Sequence, residues 1–542
     1  MTKEAAAGVT DLFEAVTGGE DDTVVRLLRA GVSAEATDPD GETVLYRAAV
    51  GDEPGMVRLL LAAGADPQRA SGPEGWDLPL CAAACGGHTE VVRALLAAGA
   101  APDGREAFDY TAIAWAVVQG FADTAETLLE YGADPDLPGP GGEAPLVLAA
   151  RRGSTATVRV LLRYGAGARD GGSAYGGGSV DGGGSPAEEA HADSGTRGAA
   201  LAEARRWMAL DVEQELRAGL LSAYGEGYET VVRRIREEGS ETVVVELLRD
   251  GGAVAGREQQ TGHAAVVTLL ETELGIAPPY EELAGRALGC GDPDRDDWIE
   301  AVAALWRRGD EETFLTCAAW CASDEPLRQA FAADVLARLG ATGGDGAGGP
   351  GVTPEAADGG SPFAARAVPL LRELSRQAVE PELISSVVVA LGQHGDPAAL
   401  PEILRHTAHP DSGVRRRVAV ALTGLVPADH QDGVRAELLL SRDADASVRD
   451  RAVLALAALE ADTYEIREAL AARLNEPDAG TAARAAWGLA VRRDPRAVAA
   501  LERILLDEDP AGRARRTAVE AVAYVPKGPE RRRLECTLPR RR

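Results

Sequence analysis

A leucine pair recurs through the first third of the chain at Leu27-Leu28, Leu60-Leu61, Leu95-Leu96, Leu128-Leu129 and Leu161-Leu162, in steps of 33, 35, 33 and 33 residues. A glycine keeps the same beat at Gly31, Gly64, Gly99, Gly132 and Gly165. An apolar pair followed by a residue free to take positive φ is the signature of a helix that ends in a left-handed cap. Recurrence at a fixed period restricts such a chain to a stack of like units, each burying its apolar face only against its neighbours. The clearest copy is Gly86 to Asp103, GGHTEVVRALLAAGAAPD.

The 542 residues predict three or four domains, and 56 basic against 86 acidic residues leave a net charge of -30. That field repels nucleic acid and anionic membranes. The only lysines, Lys3 and Lys527, lie near the ends, so a phosphate-loop or Schiff-base lysine has no interior residue to use. Six cysteines in so long a chain form no disulfide framework. The start, MTKEAAAGVTDLF, has no cationic segment leading into an apolar run. A cytoplasmic protein without membrane segments is expected.

Residues 1–166 read as units of a turn, a short helix, a second helix with Val-x-x-Leu-Leu, and Gly-Ala. The helix starts are Thr43-Val-Leu-Tyr46, Leu78-Pro-Leu-Cys81, Thr111-Ala-Ile-Ala114 and Ala144-Pro-Leu-Val147. These resemble the Thr-Pro-Leu-His start of the ankyrin repeat in degraded form, and loss of the histidine predicts a less rigid array. The first unit, with Asp11, Glu14, Glu20, Asp21 and Asp22, suits a solvent-facing cap. Residues 167–198 are a Gly/Ser-rich linker. Residues 199–295 read as a helical region with a degenerate ankyrin-like unit at Gly262-His-Ala-Ala-Val-Val-Thr-Leu-Leu270, whose preceding helix start is not recognisable. Within it ETVVVELL fits either a helix or a strand of a hairpin turning at Gly251-Gly252.

From Asp296 a second repeat begins, an acidic or turn residue followed at +3, +7 and +11 by apolar residues. Copies start at Asp324, Glu380, Asp411, Asp445, Asp478 and Ala511. They resemble HEAT repeats of the short kind also found in phycobilin-lyase-type proteins. The predicted blocks are first HEAT-like helices at 296–340, a Gly/Pro-rich insert at 341–362, HEAT-like repeats at 363–526 and a frayed basic tail at 527–542. The fold class is all-α: an ankyrin-repeat solenoid, a helical middle region and a HEAT-like α-solenoid.

No residues stand out as catalytic, cofactor-binding or metal-binding. Cys81/Cys85 and Cys317/Cys321 each lie one turn apart without a second ligand pair and read as core residues. His394, His406, His409 and His430 fall near predicted helix ends. Asp292 to Asp297 starts like a calcium loop but has Asp297 where glycine is needed and Ala303 where a bidentate glutamate is needed. Asp296 or Asp297 is expected to cap the helix near Trp298. For Arg415, Arg416, Arg449 and Arg515 the resemblance to HEAT repeats implies pairing with an aspartate of the same unit.

Ankyrin recognition, by resemblance, uses hairpin tips and the variable face of the first helices. Those positions are Glu42, Arg47, Trp76, Asp77, Tyr110, Trp115, Glu143 and Leu148, with Trp115 at the position the family leaves free for ligands. The resulting expectation is a monomeric, non-enzymatic scaffold for unidentified protein partners. Two alternatives are a lyase-like HEAT enzyme or enzyme subunit, and nucleic-acid binding through the HEAT arginines and basic tail, which the net charge disfavours.

Overall fold

In a computed structural model, residues 3–168, 195–237, 239–339, 362–507 and 512–538 are described. The Gly/Ser linker, the Gly/Pro insert, the Ala511 anchor and the last four residues of the basic tail lie wholly or mostly outside them. The chain divides into two compact units: Met1–Pro279 with Asp294–Glu300, and Tyr280–Pro293 with Ala301–Arg542.

The first unit opens with helix pairs at the expected period: α1 (Lys3–Thr17) and α2 (Asp21–Arg29), α3 (Val44–Val50) and α4 (Pro54–Ala62), α5 (Pro79–Gly86) and α6 (Thr89–Ala97), α7 (Ala112–Gln119) and α8 (Ala122–Glu130), α9 (Pro145–Arg152) and α10 (Thr155–Arg163). Odd-numbered helices stack in one layer and even-numbered helices in another, and one continuous apolar core runs between them from Leu12 to Leu270. The helix starts follow local chemistry. Thr43 and Thr111 cap α3 and α7 by accepting from the amides of Tyr46 and Ala114. At α5 and α9 the cap is replaced by Pro79 and Pro145 in the first turn, where the absent N–H is no loss. Isolated bridges Thr37–Thr43, Ser71–Asp77 and Arg105–Thr111 close the hairpins between units. The charged residues Asp11, Glu14, Glu20, Asp21 and Asp22 of the first pair are exposed.

The missing helix start of the degenerate unit is α11 (Gly195–Met208). It packs on α9 and on α13 (His263–Glu273), while α13 packs on α10. The two are therefore the halves of one more repeat. Arg205 and Arg197 of α11 bond Glu271 and Glu273 of α13 at 2.7 and 3.0 Å. His263 repeats the tie made by His88: His88 Nδ1 donates to the Ala49 carbonyl at 3.0 Å and His263 Nε2 to the Arg151 carbonyl at 3.1 Å. Both histidines thus stitch a second helix to the preceding unit.

Between those halves lies an insertion that departs from the helical expectation for 199–295. It holds α12 (Val212–Tyr224) and an antiparallel sheet of β1 (Glu229–Glu237), β2 (Ser240–Arg249) and β3 (Gly252–Gln260) in order β1-β2-β3. The strand alternative for ETVVVELL is the one adopted, with the β2–β3 hairpin turning at Gly251. Alternation is the cause: Val243, Val245 and Leu247 point to one face and pack on Leu216 and Leu220 of α12. The first turn of α15 (Asp296–Arg308) also belongs to this unit. Asp296 and Asp297 lie inside that helix rather than ahead of it, a correction to their expected cap role. Asp296 and Glu300 take Arg159 at 2.6 and 2.9 Å, and Asp297 accepts from the Ala265 amide at 2.9 Å.

The second unit comprises α14 (Tyr280–Cys290), the rest of α15, α16 (Glu311–Cys321), α17 (Pro326–Leu336), α18 (Ala364–Gln377), α19 (Pro381–Gln393), α20 (Leu400–Leu404), α21 (Ser412–Leu422), α22 (Gln431–Leu440), α23 (Ala446–Ala458), α24 (Tyr464–Ala471), α25 (Ala479–Val491), α26 (Ala497–Asp507), α27 (Arg513–Ala521) and α28 (Pro529–Cys536). The acidic anchors Asp411, Asp445 and Asp478 are the N-caps of α21, α23 and α25, which is the physical reason the anchor recurs. The row α17, α19, α21, α23, α25, α27 packs consecutively. Residues 529–536 of the supposed frayed tail are instead a helix: Leu534 is fully buried in the terminal core and Arg533 pairs with Glu502 at 2.9 Å.

Candidate protein-recognition face

The odd-numbered helices of the first unit bring the variable positions of successive repeats into one row. Arg47, Ala82, Trp115 and Leu148 occupy the same place in α3, α5, α7 and α9, and Glu42, Asp77, Tyr110 and Glu143 immediately precede the helix starts.

The carboxylates at the two ends of the row are neutralised within their own repeats. Arg47 makes two bonds to Glu42, at 2.5 and 3.1 Å. Arg151 holds Glu143 at 2.8 and 2.5 Å and reaches Glu203 of α11 at 2.8 Å. Side-chain hydrogen bonds from Arg151 hold the Glu143 carboxyl below its ordinary range. Glu203 is lowered to about 2, first by Arg206 and then by Arg151.

The middle of the row differs. Asp77 is exposed, and Glu106, from the hairpin before α7, is half-buried. Neither has an ion-pair partner among the described residues, whereas Arg47, Arg105 and Arg151 nearby each have one. Glu106 accepts from the Trp115 indole N–H at 2.5 Å and from the Leu78 amide at 3.4 Å, yet burial raises its carboxyl above the usual range. Tyr46 is pushed up to about 12, by burial first and then by Asp77, Glu106 and Glu42. The uncompensated carboxylates of the row, Asp77 and Glu106, thus both act on Tyr46.

The aromatic residues divide by role. Trp76 stands at a hairpin tip, 53% exposed. Trp115 is half-buried and fixed twice: its N–H by Glu106, and its ring by Tyr110, stacked at 4.0 Å between centroids and 16° between planes. Leu148, expected at the surface, is 8% exposed and fills the core. Glu106, Glu203 and Trp207 were not among the expected positions. Trp207 of α11 donates to Glu203 at 3.2 Å and stacks on His263 at 5.7 Å, so the row extends by one repeat.

The remaining candidates have structural surroundings. Cys81 and Cys317 are buried, and burial raises both thiols, Cys317 to about 12. His430 Nδ1 accepts from the Gly433 amide at the start of α22, and His409 Nδ1 from the Asp411 amide. Burial lowers His406 to about 4. Among the described residues no three His, Cys, Asp or Glu side chains are grouped to hold a metal ion, and no helix is long and apolar enough to cross a membrane. Two HEAT arginines bond carboxylates at the far end of their own units: Arg415 takes Asp443 at 2.7 and 2.9 Å, ahead of the next anchor Asp445, and Arg449 takes Glu476 at 3.1 and 2.9 Å, ahead of Asp478. Arg515 donates to the Thr537 carbonyl at 3.3 Å.

Sequence models of ankyrin repeats match residues 40–71 and, as three copies, residues 69–139. A model of HEAT repeats matches residues 435–523. No curated protein matches the chain.

Proposed function

We propose, from the premise that this chain is an ankyrin-repeat protein with C-terminal HEAT repeats, that it is a non-enzymatic cytoplasmic scaffold whose ankyrin row is a docking face for another protein. Both repeat families are typically protein-interaction modules. The observation that carries the reading is the aromatic pair on that row: Trp76, largely exposed at a hairpin tip, and Trp115, held in one orientation by Tyr110 and Glu106. Tryptophans fixed at a surface contribute binding area at little ordering cost and are enriched among binding hot spots. The docking residues are Glu42, Arg47, Trp76, Asp77, Tyr110, Trp115 and Glu143, extended by Trp207. The ion pairs that Arg415 and Arg449 make with Asp443 and Glu476 favour a structural role for these arginines over nucleic-acid binding.

The test is affinity capture from native extract with the full chain beside a Trp76→Ala/Trp115→Ala variant, after circular dichroism has shown both folded. A protein retained by the native chain and lost by the variant supports the docking face. Identical captures from both chains contradict it.

A further inference from the structure

We propose that the ankyrin row takes an extended, arginine-bearing segment of a partner protein, one arginine of which lies over Ala82 between Asp77 and Glu106 with its guanidinium against Trp115. The inference rests on the docking reading above and adds the chemistry of the occupant.

Charge compensation along the row is uneven. Glu42 is gripped by Arg47 at the fourth position of α3 and Glu143 by Arg151 at the seventh position of α9, whereas the fourth and seventh positions of α5 are Ala82 and Cys85, neither of them basic. Where the repeats of α3 and α9 supply their own cation, the repeat of α5 supplies none. Glu106 accepts from the amide of Leu78, the residue that follows Asp77, at 3.4 Å, which brings the two carboxylates near one another. A cation brought in from outside completes the pattern that Arg47 and Arg151 set.

The surroundings select arginine over lysine. A guanidinium is planar, so it can lie on an indole face while its N–H groups reach carboxylates at its edge, whereas an ammonium is a strongly hydrated point charge. Trp115 cannot swing away, because its N–H is fixed by Glu106 and its other face is taken by Tyr110.

Repeat spacing selects the backbone form. Packed helices lie about 8–10 Å apart. A polyproline II segment rises about 3.1 Å per residue with three residues per turn, so it presents the same face every ~9.3 Å. Side chains at every third position therefore keep step with the repeats.

The probe is a fluorescent nonapeptide of three Pro-Pro-Arg units, titrated by anisotropy against the full chain. Its controls are an isomer with six prolines followed by three arginines, and a version with citrulline replacing arginine. The spaced peptide should bind at least about fivefold more tightly than the isomer and lose about tenfold with Glu106→Gln, a loss of the size expected for one charge-assisted bond. Glu106→Gln keeps an acceptor for the indole. Ala82→Arg, which places the missing cation on the chain itself, should abolish binding while leaving thermal stability equal or higher. Equal binding of both isomers, unchanged by Glu106→Gln, would mean diffuse attraction to an acidic protein and overturns the proposal. So does a complete absence of binding. A captured protein that depends on Trp76 and Trp115 but is not displaced by the spaced peptide overturns the arginine assignment alone and leaves the docking face standing.

Discussion

Gly153→Ala measures whether the interrupted repeat closes as described. Gly153 is the left-handed cap of α9, with φ 72°. A Cβ there would lie 2.5 Å from the Gln260 carbonyl oxygen and 2.7 and 2.8 Å from ring atoms of His263. Forcing alanine into the left-handed region costs about 1–2 kcal/mol. Overpacking against backbone and a buried ring adds about 1–3 kcal/mol. Gly165→Ala supplies the control, since φ is 84° and nothing lies within 4 Å of the added carbon, so only the first cost applies. The excess of about 1–3 kcal/mol is thus the contact between α9 and the residues that lead from β3 into α13. Native-state hydrogen exchange of peptides covering α9 and α13 in the full chain reads that difference locally, which matters in a protein of two compact units. Equal costs for the two substitutions would refute the placement of residues 260–263 on the end of α9.

Three further outcomes follow from buried charge. His263 titrates at about 4 instead of 6.5 because it is buried. Its folded pKa is lowered, so the stability it carries is present above pH 6.5 and lost as pH falls through 4; His263→Gln should flatten exchange of the first unit across that window. Glu437, 1% exposed, is raised to about 8 by burial. Its folded pKa lies above the unfolded one, so that contribution is full below pH 4.5 and lost as pH rises through 8, and Glu437→Gln should stabilise the HEAT unit at pH 8–9 in thermal melts. Asp443→Asn removes the partner of Arg415 and should cost about 1–3 kcal/mol in urea denaturation, whereas a loss below ~0.3 kcal/mol would show that the rung contributes nothing.

Legibility in the sequence followed the periodicity. Leu-Leu and Gly at fixed steps located the helix pairs up to α10, because each repeat solves the same packing problem with the same residues. The halves α11 and α13 were not joined in the sequence because the sheet and α12 intervene, and a period cannot be read across an insertion. The strands were only half legible: alternation in TVVVEL is a strand signal, but Arg233, Arg234 and Arg236 in β1 carry no apolar pattern. Asp411, Asp445 and Asp478 could be recognised as anchors but not as caps until their amide partners were known. In the row, Trp115 was readable from its place after a helix start, while Leu148, at the same place, turned inward. Glu106 lay outside the repeat pattern; the only signal for it was that a half-buried indole N–H needs an acceptor. The docked end of the chain was missed because Leu534 is one apolar residue among arginines.

The most direct test of the docking face is hydrogen exchange of the full chain with and without the protein it captures, resolved peptide by peptide. A partner on the docking face should bring new protection at residues 42–47, 76–82, 106–115 and 143–151, with the peptides of α4, α6, α8 and α10 unchanged. Protection confined to the HEAT repeats, or to the even-numbered helices of the first unit, would contradict it.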